Sequence, residues 1–419
     1  MKKYSPLAFL FSLLFAVSAY AGEGRYTLPL TGGGWSLWLD KEASWQNDRL
    51  YLPHEITDLS LLPVNTPTGG WQALNDNLDA VSVEVPGTVE EYLTTSDNPR
   101  PEDFKGVSWW YRKITIPADQ ANKRHLIYFE SVRMRAEVYL DGKLVAYDLI
   151  GETPFHVDIT KEAKPGTEQL LAVRVTNPGG NFHWQDFDIQ KWGEYNIPPA
   201  RSFSGIIGRV KLESVNPVFI SDIYMQNTPE PTKVNAIISF TNETPSSVKQ
   251  DVELTVSEKN RPDKVVFRQL LKHVSFPPGK REMMIPVSVS DAKLWDLDTP
   301  EVYTCNIQIK KGKNTLDRDK KNFGFRWFSA EGVGTDAVLR LNGRRVMLRS
   351  AISWGYFPVT GLIATPEMAE KQVLTAKKLG LNMLNFHRCI GSPVVLEKTD
   401  ELGLLYYEEP GSFHSANHD

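Results

Sequence analysis

A chain of 419 residues with 47 Lys+Arg, 51 Asp+Glu and two cysteines has length for about three domains at roughly 150 residues each. Its 41% hydrophobic and 23% charged residues are those of an ordinary globular chain, not a disordered one. A net charge of -4 offers no general attraction to nucleic acid or an anionic membrane, and two cysteines exclude both a disulfide-stapled scaffold and a four-cysteine metal site.

Residues 1–21 read as a secretory signal peptide. Lys2 and Lys3 precede an apolar run from Leu7 to Val17, and Ala19-Tyr20-Ala21 fits the small-x-small cleavage pattern. The run is too short to span a bilayer comfortably, and no later stretch approaches the ~20 apolar residues a span needs. The expected mature chain is exported, to a periplasm or the exterior. Cys305 and Cys389 fall in different expected domains and are expected to be free thiols.

From residue 22 to about 215 the pattern is one of short strands. Trp109 to Ile116, Leu126 to Glu130, Ala136 to Leu140 and Leu170 to Val175 carry the period of two of half-buried strands. Asp141-Gly142 between Val138-Tyr139-Leu140 and Leu144-Val145-Ala146 is a tight-hairpin turn. No helix-period window exceeds two turns. The expectation is an antiparallel jelly-roll β-sandwich.

Residues 216 to 330 form a second all-β stretch. Strands are expected at Val234 to Phe240, Val252 to Val256, Arg281 to Val287 and Tyr303 to Ile309. Asn242-Glu243-Thr244-Pro245 and Phe276-Pro277-Pro278-Gly279 mark turns between them. Length and spacing suit an immunoglobulin-like β-sandwich. The charged stretch Lys310 to Lys321 reads as a solvated hairpin tip.

The pattern changes at about Glu331. Asn342-Gly343 makes a hairpin turn, and Val346-Met347-Leu348 is expected to begin a strand. Thr365-Pro366 opens a helix with Ala369, Val373 and Ala376 on one face and Gly380 at its end. Leu381 to Phe386 is a short strand. Ser392-Pro393 caps a second helix with Val395, Thr399 and Leu402 on one face, Gly403 ends it, and Leu404 to Tyr407 is a third strand. Strand, helix, strand, helix, strand with tight turns predicts parallel pairing and right-handed crossovers. The 89 residues from 331 to 419 have room for fewer than three of the roughly 31-residue units of a (β/α)8 TIM barrel, so the expectation is its first three strands only.

The order of these parts resembles glycoside hydrolase family 2, the β-galactosidases, β-glucuronidases and β-mannosidases. Trp110-Tyr111-Arg112-Lys113 and Val138-Tyr139-Leu140-Asp141-Gly142-Lys143 look like the family's jelly-roll signature, and Ser204 to Val210 resembles its closing strand. Phe323-Gly324-Phe325-Arg326, Leu341-Asn342-Gly343, Val346-Met347-Leu348-Arg349 and Asp400-Glu401-Leu402-Gly403-Leu404-Leu405 look like barrel segments. Two departures stand out. Arg349-Ser350-Ala351-Ile352 stands where the family commonly has Arg-Gly-Val-Asn, and Asn385 stands where it commonly has Arg.

The resemblance implies an exported retaining exo-β-glycosidase, acting on a β-linked glycan without a cofactor, with two catalytic glutamates. One lies in an Asn-Glu pair after the fourth barrel strand and the other near the end of the seventh. The only Asn-Glu here is Asn242-Glu243, in the middle β unit beside a Pro turn. The expectation is therefore a chain truncated before both glutamates and inactive by itself. The alternatives are a non-catalytic carbohydrate-binding module and a non-functional gene fragment.

Candidate substrate-binding residues lie where the parallel strands end, the face that carries barrel active sites. Trp354 follows the first strand and offers a ring for stacking on a sugar. Asn385, His387 and Arg388 end the second and offer hydrogen bonds to hydroxyls. Glu408 and Glu409 close the third; being adjacent, they point to opposite faces, so one is expected to line the pocket and the other to be structural. The aromatic and acidic loop Asn181 to Asp188 is either a sugar-contacting loop or packed at a domain interface, and Asp186 and Asp188 make only a weak calcium signal. His414 and His418 have an i, i+4 spacing without the Glu of the zinc-protease pattern, so no metal site is expected there. No phosphate loop, serine elbow or basic aromatic-interleaved stretch is present.

Overall fold

The computed structural model describes residues 20–21, 24–76, 79–93, 104–179, 190–193, 195–197, 203–357, 360–387 and 389–409. Residues 1–19 of the leader reading, the 181–188 loop, Arg388, His414 and His418 lie outside them.

The first unit contains β1 (Tyr20–Ala21), β2 (Tyr26–Pro29), β3 (Gly32–Asp40), a short α1 (Ala73–Asp76), β4 (Val81–Val85), α2 (Val89–Leu93), β5 (Gly106–Thr115), β6 (Arg124–Phe129) and β7 (Arg135–Leu140). It continues with β8 (Lys143–Asp148), β9 (Phe155–Asp158), β10 (Glu168–Asn177), the pair β11 (Gln190–Trp192) and β12 (Tyr195–Ile197), and β13 (Val210–Val215). A five-stranded sheet runs β1-β2-β13-β6-β9 and a six-stranded sheet β4-β3-β5-β10-β7-β8. Their facing side chains, Trp110, Val138, Leu171 and Val173 from one and Ile127, Phe129 and Leu212 from the other, share one core. The Asp141-Gly142 turn has φ of 47° and 81°, the left-handed pair that a two-residue hairpin requires.

The half-buried alternation expected of Ala136 to Leu140 is not what forms. All six residues of β7 are buried. The outer face of the six-stranded sheet is covered by a second aromatic cluster that includes Trp45, Trp71, Trp109, Tyr139 and Trp192. Polar side chains trapped beneath it pair with one another: Arg174 Nη1 donates to Glu137 Oε2 at 2.5 Å and Arg135 Nη2 to Asp48 Oδ2 at 2.6 Å. Burial without such partners would cost several kcal/mol per ion.

The second unit comprises β14 (Val218–Asn227), β15 (Lys233–Asn242), β16 (Val248–Glu258), β17 (Arg261–Phe276), β18 (Gly279–Ser288), β19 (Tyr303–Lys311) and β20 (Asn314–Phe323). Sheets β14-β15-β18 and β17-β16-β19-β20 enclose a core of Ile238, Phe240, Leu254, Ile285, Ile307 and their neighbours. The charged stretch from Lys310 to Lys321 is indeed a hairpin, β19–β20, but it is not wholly solvated. Asp317 is fully buried, where it receives both Nε and Nη2 of Arg25 at 2.9 Å. That bidentate pair joins the second unit to the first. Asn242 stays structural: its amide donates to the Ser246 and Phe276 carbonyls.

A small antiparallel sheet, β21 (Phe328–Glu331), β22 (Val338–Leu341) and β23 (Arg344–Arg345), turns at Asn342-Gly343. Then follow β24 (Ser350–Ser353), α3 (Pro366–Lys378), β25 (Met383–Phe386), α4 (Pro393–Leu402) and β26 (Leu405–Glu408). The three strands pair in parallel in the order β24-β25-β26. The strand expected to begin at Val346 starts at Ser350 instead. The Asn382 side chain takes the place of a ladder there, accepting from Arg349 N at 2.7 Å and donating to Met347 O at 2.9 Å. Thr365 caps α3 as expected, accepting from Met368 N, whereas the Ser392 hydroxyl makes no cap bond to α4.

Helix α4 locks this sheet onto both β units. Its carboxylates Glu397, Asp400 and Glu401 share one face, spaced i, i+3 and i+4. Glu397 meets Arg209 of the first unit at 2.8 Å. Asp400 meets Arg326 at 2.8 Å, and its backbone carbonyl accepts from Trp295 Nε1 at 2.7 Å. Glu401 pairs with Lys259 of the second unit. Lys377 of α3 adds bonds to the Leu402 and Gly403 carbonyls at 2.7 and 2.9 Å and to Leu297 O.

Candidate functional site

The parallel sheet has two unlike faces. Leu384 and Phe386 of β25 pack with Val373, Ala376 and Val395 of the helices. The residues between them point the other way. Parallel register sets Ile352, Asn385 and Tyr407 side by side on that second face. Ile352 and Tyr407 are exposed.

Just beyond this row, at the carboxyl ends of the strands, the candidate side chains meet. Glu409 is the hub. Its Oε2 lies 3.2 Å from His387 Nδ1, and its Oε1 accepts from Asn385 Nδ2 at 3.3 Å. Trp354 packs edge-on against the His387 ring, with centroids 4.4 Å apart at 75°. Backbone bonds hold these loops in register: His387 N donates to Ser353 O at 2.9 Å, and Glu409 N to Phe386 O at 3.3 Å. Asn385 Oδ1 is buried and has no hydrogen-bond partner among the described residues.

Glu408 goes to the helix side. Its Oε1 accepts from Gly391 N at 3.0 Å and so fixes the loop between β25 and α4. The two adjacent glutamates are thereby separated as their strand parity requires: Glu409 joins Asn385 and His387, and Glu408 is a loop anchor. Trp354, Asn385, His387 and Glu409 come together, and Arg388 lies outside the described residues. Sequence reasoning did not single out Ile352 and Tyr407 on the same face, or Gln372, whose amide donates to Ser353 Oγ at 3.0 Å. The first two carry a signal, since they share strand parity with the residues that were named; Gln372 comes from helix α3 and carries none.

The arrangement offers one carboxylate acceptor, one amide, one imidazole and an indole edge. These suit hydroxyl recognition beside an apolar ring. Among the described residues no group of three or more His, Cys, Asp or Glu is placed to hold a metal ion.

Comparison with known proteins bears on this geometry. The model for "Glycosyl hydrolases family 2, sugar binding domain" matches residues 71–198, and that for "Glycosyl hydrolases family 2" matches residues 218–326. The chain belongs to glycosyl hydrolase family 2. A putative beta-glucuronidase of Formosa agariphila is 26% identical over 386 residues, covering 88% of this chain and 40% of that protein. A beta-galactosidase of Thermoanaerobacter pseudethanolicus is 26% identical over 318 residues, covering 75% of this chain and 41% of that protein. The fold matches the crystal structure of a Bacteroides uniformis beta-glucuronidase with a TM-score of 0.67 at 21% identity, over 92% of this chain and 42% of that one. This family member thus spans about two fifths of the length of the two curated relatives described.

Proposed function

We propose that the chain is the sugar-recognising, amino-terminal part of an exported family 2 exo-β-glycosidase. In this reading residues 22–215 are a jelly-roll sugar-binding domain and 216–330 an immunoglobulin-like sandwich. Residues 331–419 then supply the first three strands of a (β/α)8 barrel. The names of the relatives, beta-glucuronidase and beta-galactosidase, favour a β-glucuronide or β-galactoside as the sugar.

The observation that carries the reading is the cluster of Asn385, His387 and Glu409 beside Trp354 at the carboxyl ends of parallel strands, on the face away from the helices. Glu409 is ready to accept from a sugar hydroxyl while it orients the Asn385 amide and the His387 ring. The Trp354 indole supplies apolar surface for the C–H face of a pyranose.

Retaining hydrolysis needs two carboxyl groups about 5–5.5 Å apart across the scissile bond. Glu408 and Glu409 are turned to opposite sides of β26 and do not make that pair, and Asn242 of the sole Asn-Glu is used in a turn. We therefore expect the 419-residue chain to bind a β-glycoside weakly and not to cleave it. The test incubates purified chain with 4-nitrophenyl β-glucuronide and β-galactoside and follows ligand contact by saturation-transfer NMR. The expected result is no nitrophenol release, with contact signals that vanish in Glu409→Gln and Asn385→Ala. Steady release would overturn the inactive reading; signals unchanged in both variants would remove the site.

A further inference from the structure

A second polar region lies far from Glu409, on the outward face of the five-stranded sheet. Antiparallel register sets Lys211 of β13, Tyr128 of β6 and His156 of β9 in one lateral row. The Tyr128 and His156 rings are 5.1 Å apart at 54°, and Lys211 Nζ stands 5.4 Å from the Tyr128 ring centre. Desolvation by the cleft walls and the cations Lys211, Lys280 and Arg25, opposed by Glu213, hold the His156 imidazole below its ordinary basicity. This row forms the floor of a cleft of about 750 Å³ whose other wall is the second unit. That volume lies within the range of small-ligand sites, roughly 300–1,000 Å³.

The lining of this cleft carries seven Lys and Arg side chains against six Asp and Glu, a surplus of one cation. Its carboxylates are mostly engaged: Glu130 by Arg209 at 2.6 Å, Glu213 by Lys211 at 3.0 Å and Arg25 at 3.3 Å, Asp158 by Arg124, Glu243 by the same Arg124 at 3.7 Å, and Asp319 by Arg25 at 3.5 Å. Asp222 alone among them has no ion pair among the described residues. On the cationic side Lys280, Lys320 and Lys321 line the same space, and none has a carboxylate partner among the described residues. The surplus sits on the wall of the second unit, where Lys280 and Lys321, the latter on the same face of β20 as Asp319, stand without a carboxylate partner among the described residues. An aromatic floor with a cationic wall is the complement of a pyranose ring bearing a carboxylate or sulfate.

We propose that the cleft between the two β units is a binding site for an acidic oligosaccharide, with Tyr128 and His156 as the stacking floor and Lys280 and Lys321 as the anion contacts. The site is independent of the parallel-sheet cluster and stands or falls apart from the reading of that cluster.

The test is calorimetric titration of the full chain with tetragalacturonate and with its fully methyl-esterified form, which keeps the sugar and removes the charge. The acid should bind at least about tenfold more tightly than the ester. Tyr128→Ala and the double variant Lys280→Gln/Lys321→Gln should each weaken acid binding by about tenfold or more. Glu409→Gln should leave it unchanged. All of these side chains lie at the surface of the cleft or sheet, and matching thermal melts confirm that each variant is folded; Lys280→Gln stands in for any that is not. Absence of binding to the acid, equal affinity for acid and ester, or loss in Glu409→Gln alone would each overturn the proposal.

Discussion

Arg25 shows how much one side chain decides in this molecule. Burial alone would lower its basicity, but bonds from Asp317 and the charges of Glu213 and Asp319 raise it, so the guanidinium stays charged. It also donates to the Ile220 carbonyl at 2.6 Å. Arg25→Met strands the fully buried Asp317 carboxylate, and removing one partner of a buried pair costs about 3–5 kcal/mol. Urea unfolding of the variant should show that loss. His125 is the second residue of this kind. It is buried, with Nδ1 2.9 Å from Ser214 Oγ, and burial lowers its basicity below that of an ordinary imidazole. The folded state therefore takes up its proton only below the unfolded pKa of about 6.5. Between the two values the unfolded state binds more protons, so stability present above about pH 6.5 declines as pH falls towards the folded pKa. His125→Gln should flatten that part of the stability–pH curve, read from melting temperatures at pH 5 to 7.5. The Cys305 thiol poses no such switch: it is buried, and burial pushes it up to about 12.

At the scale of elements, α4 is the part whose charges do the joining. Exposed ion pairs each contribute about 0.2–1 kcal/mol, so its three are modest singly. Replacing them together, Glu397→Gln/Asp400→Asn/Glu401→Gln, should loosen the parallel sheet from the β units without unfolding either. Faster amide exchange across residues 393–408, with unchanged exchange in β14 to β20, would confirm it; uniform exchange would deny it. Glu401 also titrates in this interface. Burial raises its carboxyl, but Lys259 and Lys398 outweigh that and hold it below the usual range. Its contribution is therefore present above the unfolded value and lost as pH falls through the folded one. Lys377→Met should act on the same joint by removing the bond that its ammonium donates to the Leu297 carbonyl of the second unit.

At the scale of the whole molecule the two β units and the parallel sheet are joined by polar groups rather than by one continuous apolar core. The apolar clusters stay within their own units. Arg25 ties the first unit to the second, and α4 ties both to the third. The chain should melt in one calorimetric transition, and Arg25→Met should divide it in two. A single sharp transition in the variant would show that the units couple by other means.

Local chemistry was enough to place most of what the sequence announces. Asp141-Gly142 and Asn342-Gly343 are turns because these residues accept positive φ, and Thr365-Pro366 starts a helix because the hydroxyl caps and the ring fits the first position. The buried faces of α3 and the parallel pairing of its flanking strands follow from spacing and from the length of the crossovers. Glu408 and Glu409 were bound to part company by strand parity, a purely local rule. Which of them joins Asn385 and His387 was not local, because it depends on which face of β26 the helices cover. The burial of Asp317 in a hairpin that reads as solvated depends on Arg25, 292 residues away. The double burial of β7 depends on an aromatic cover contributed from distant parts of the chain. Backbone propensity and periodicity thus set the elements; the tertiary structure alone decided which charges lose their water, since desolvation is a property of neighbours brought together by the fold.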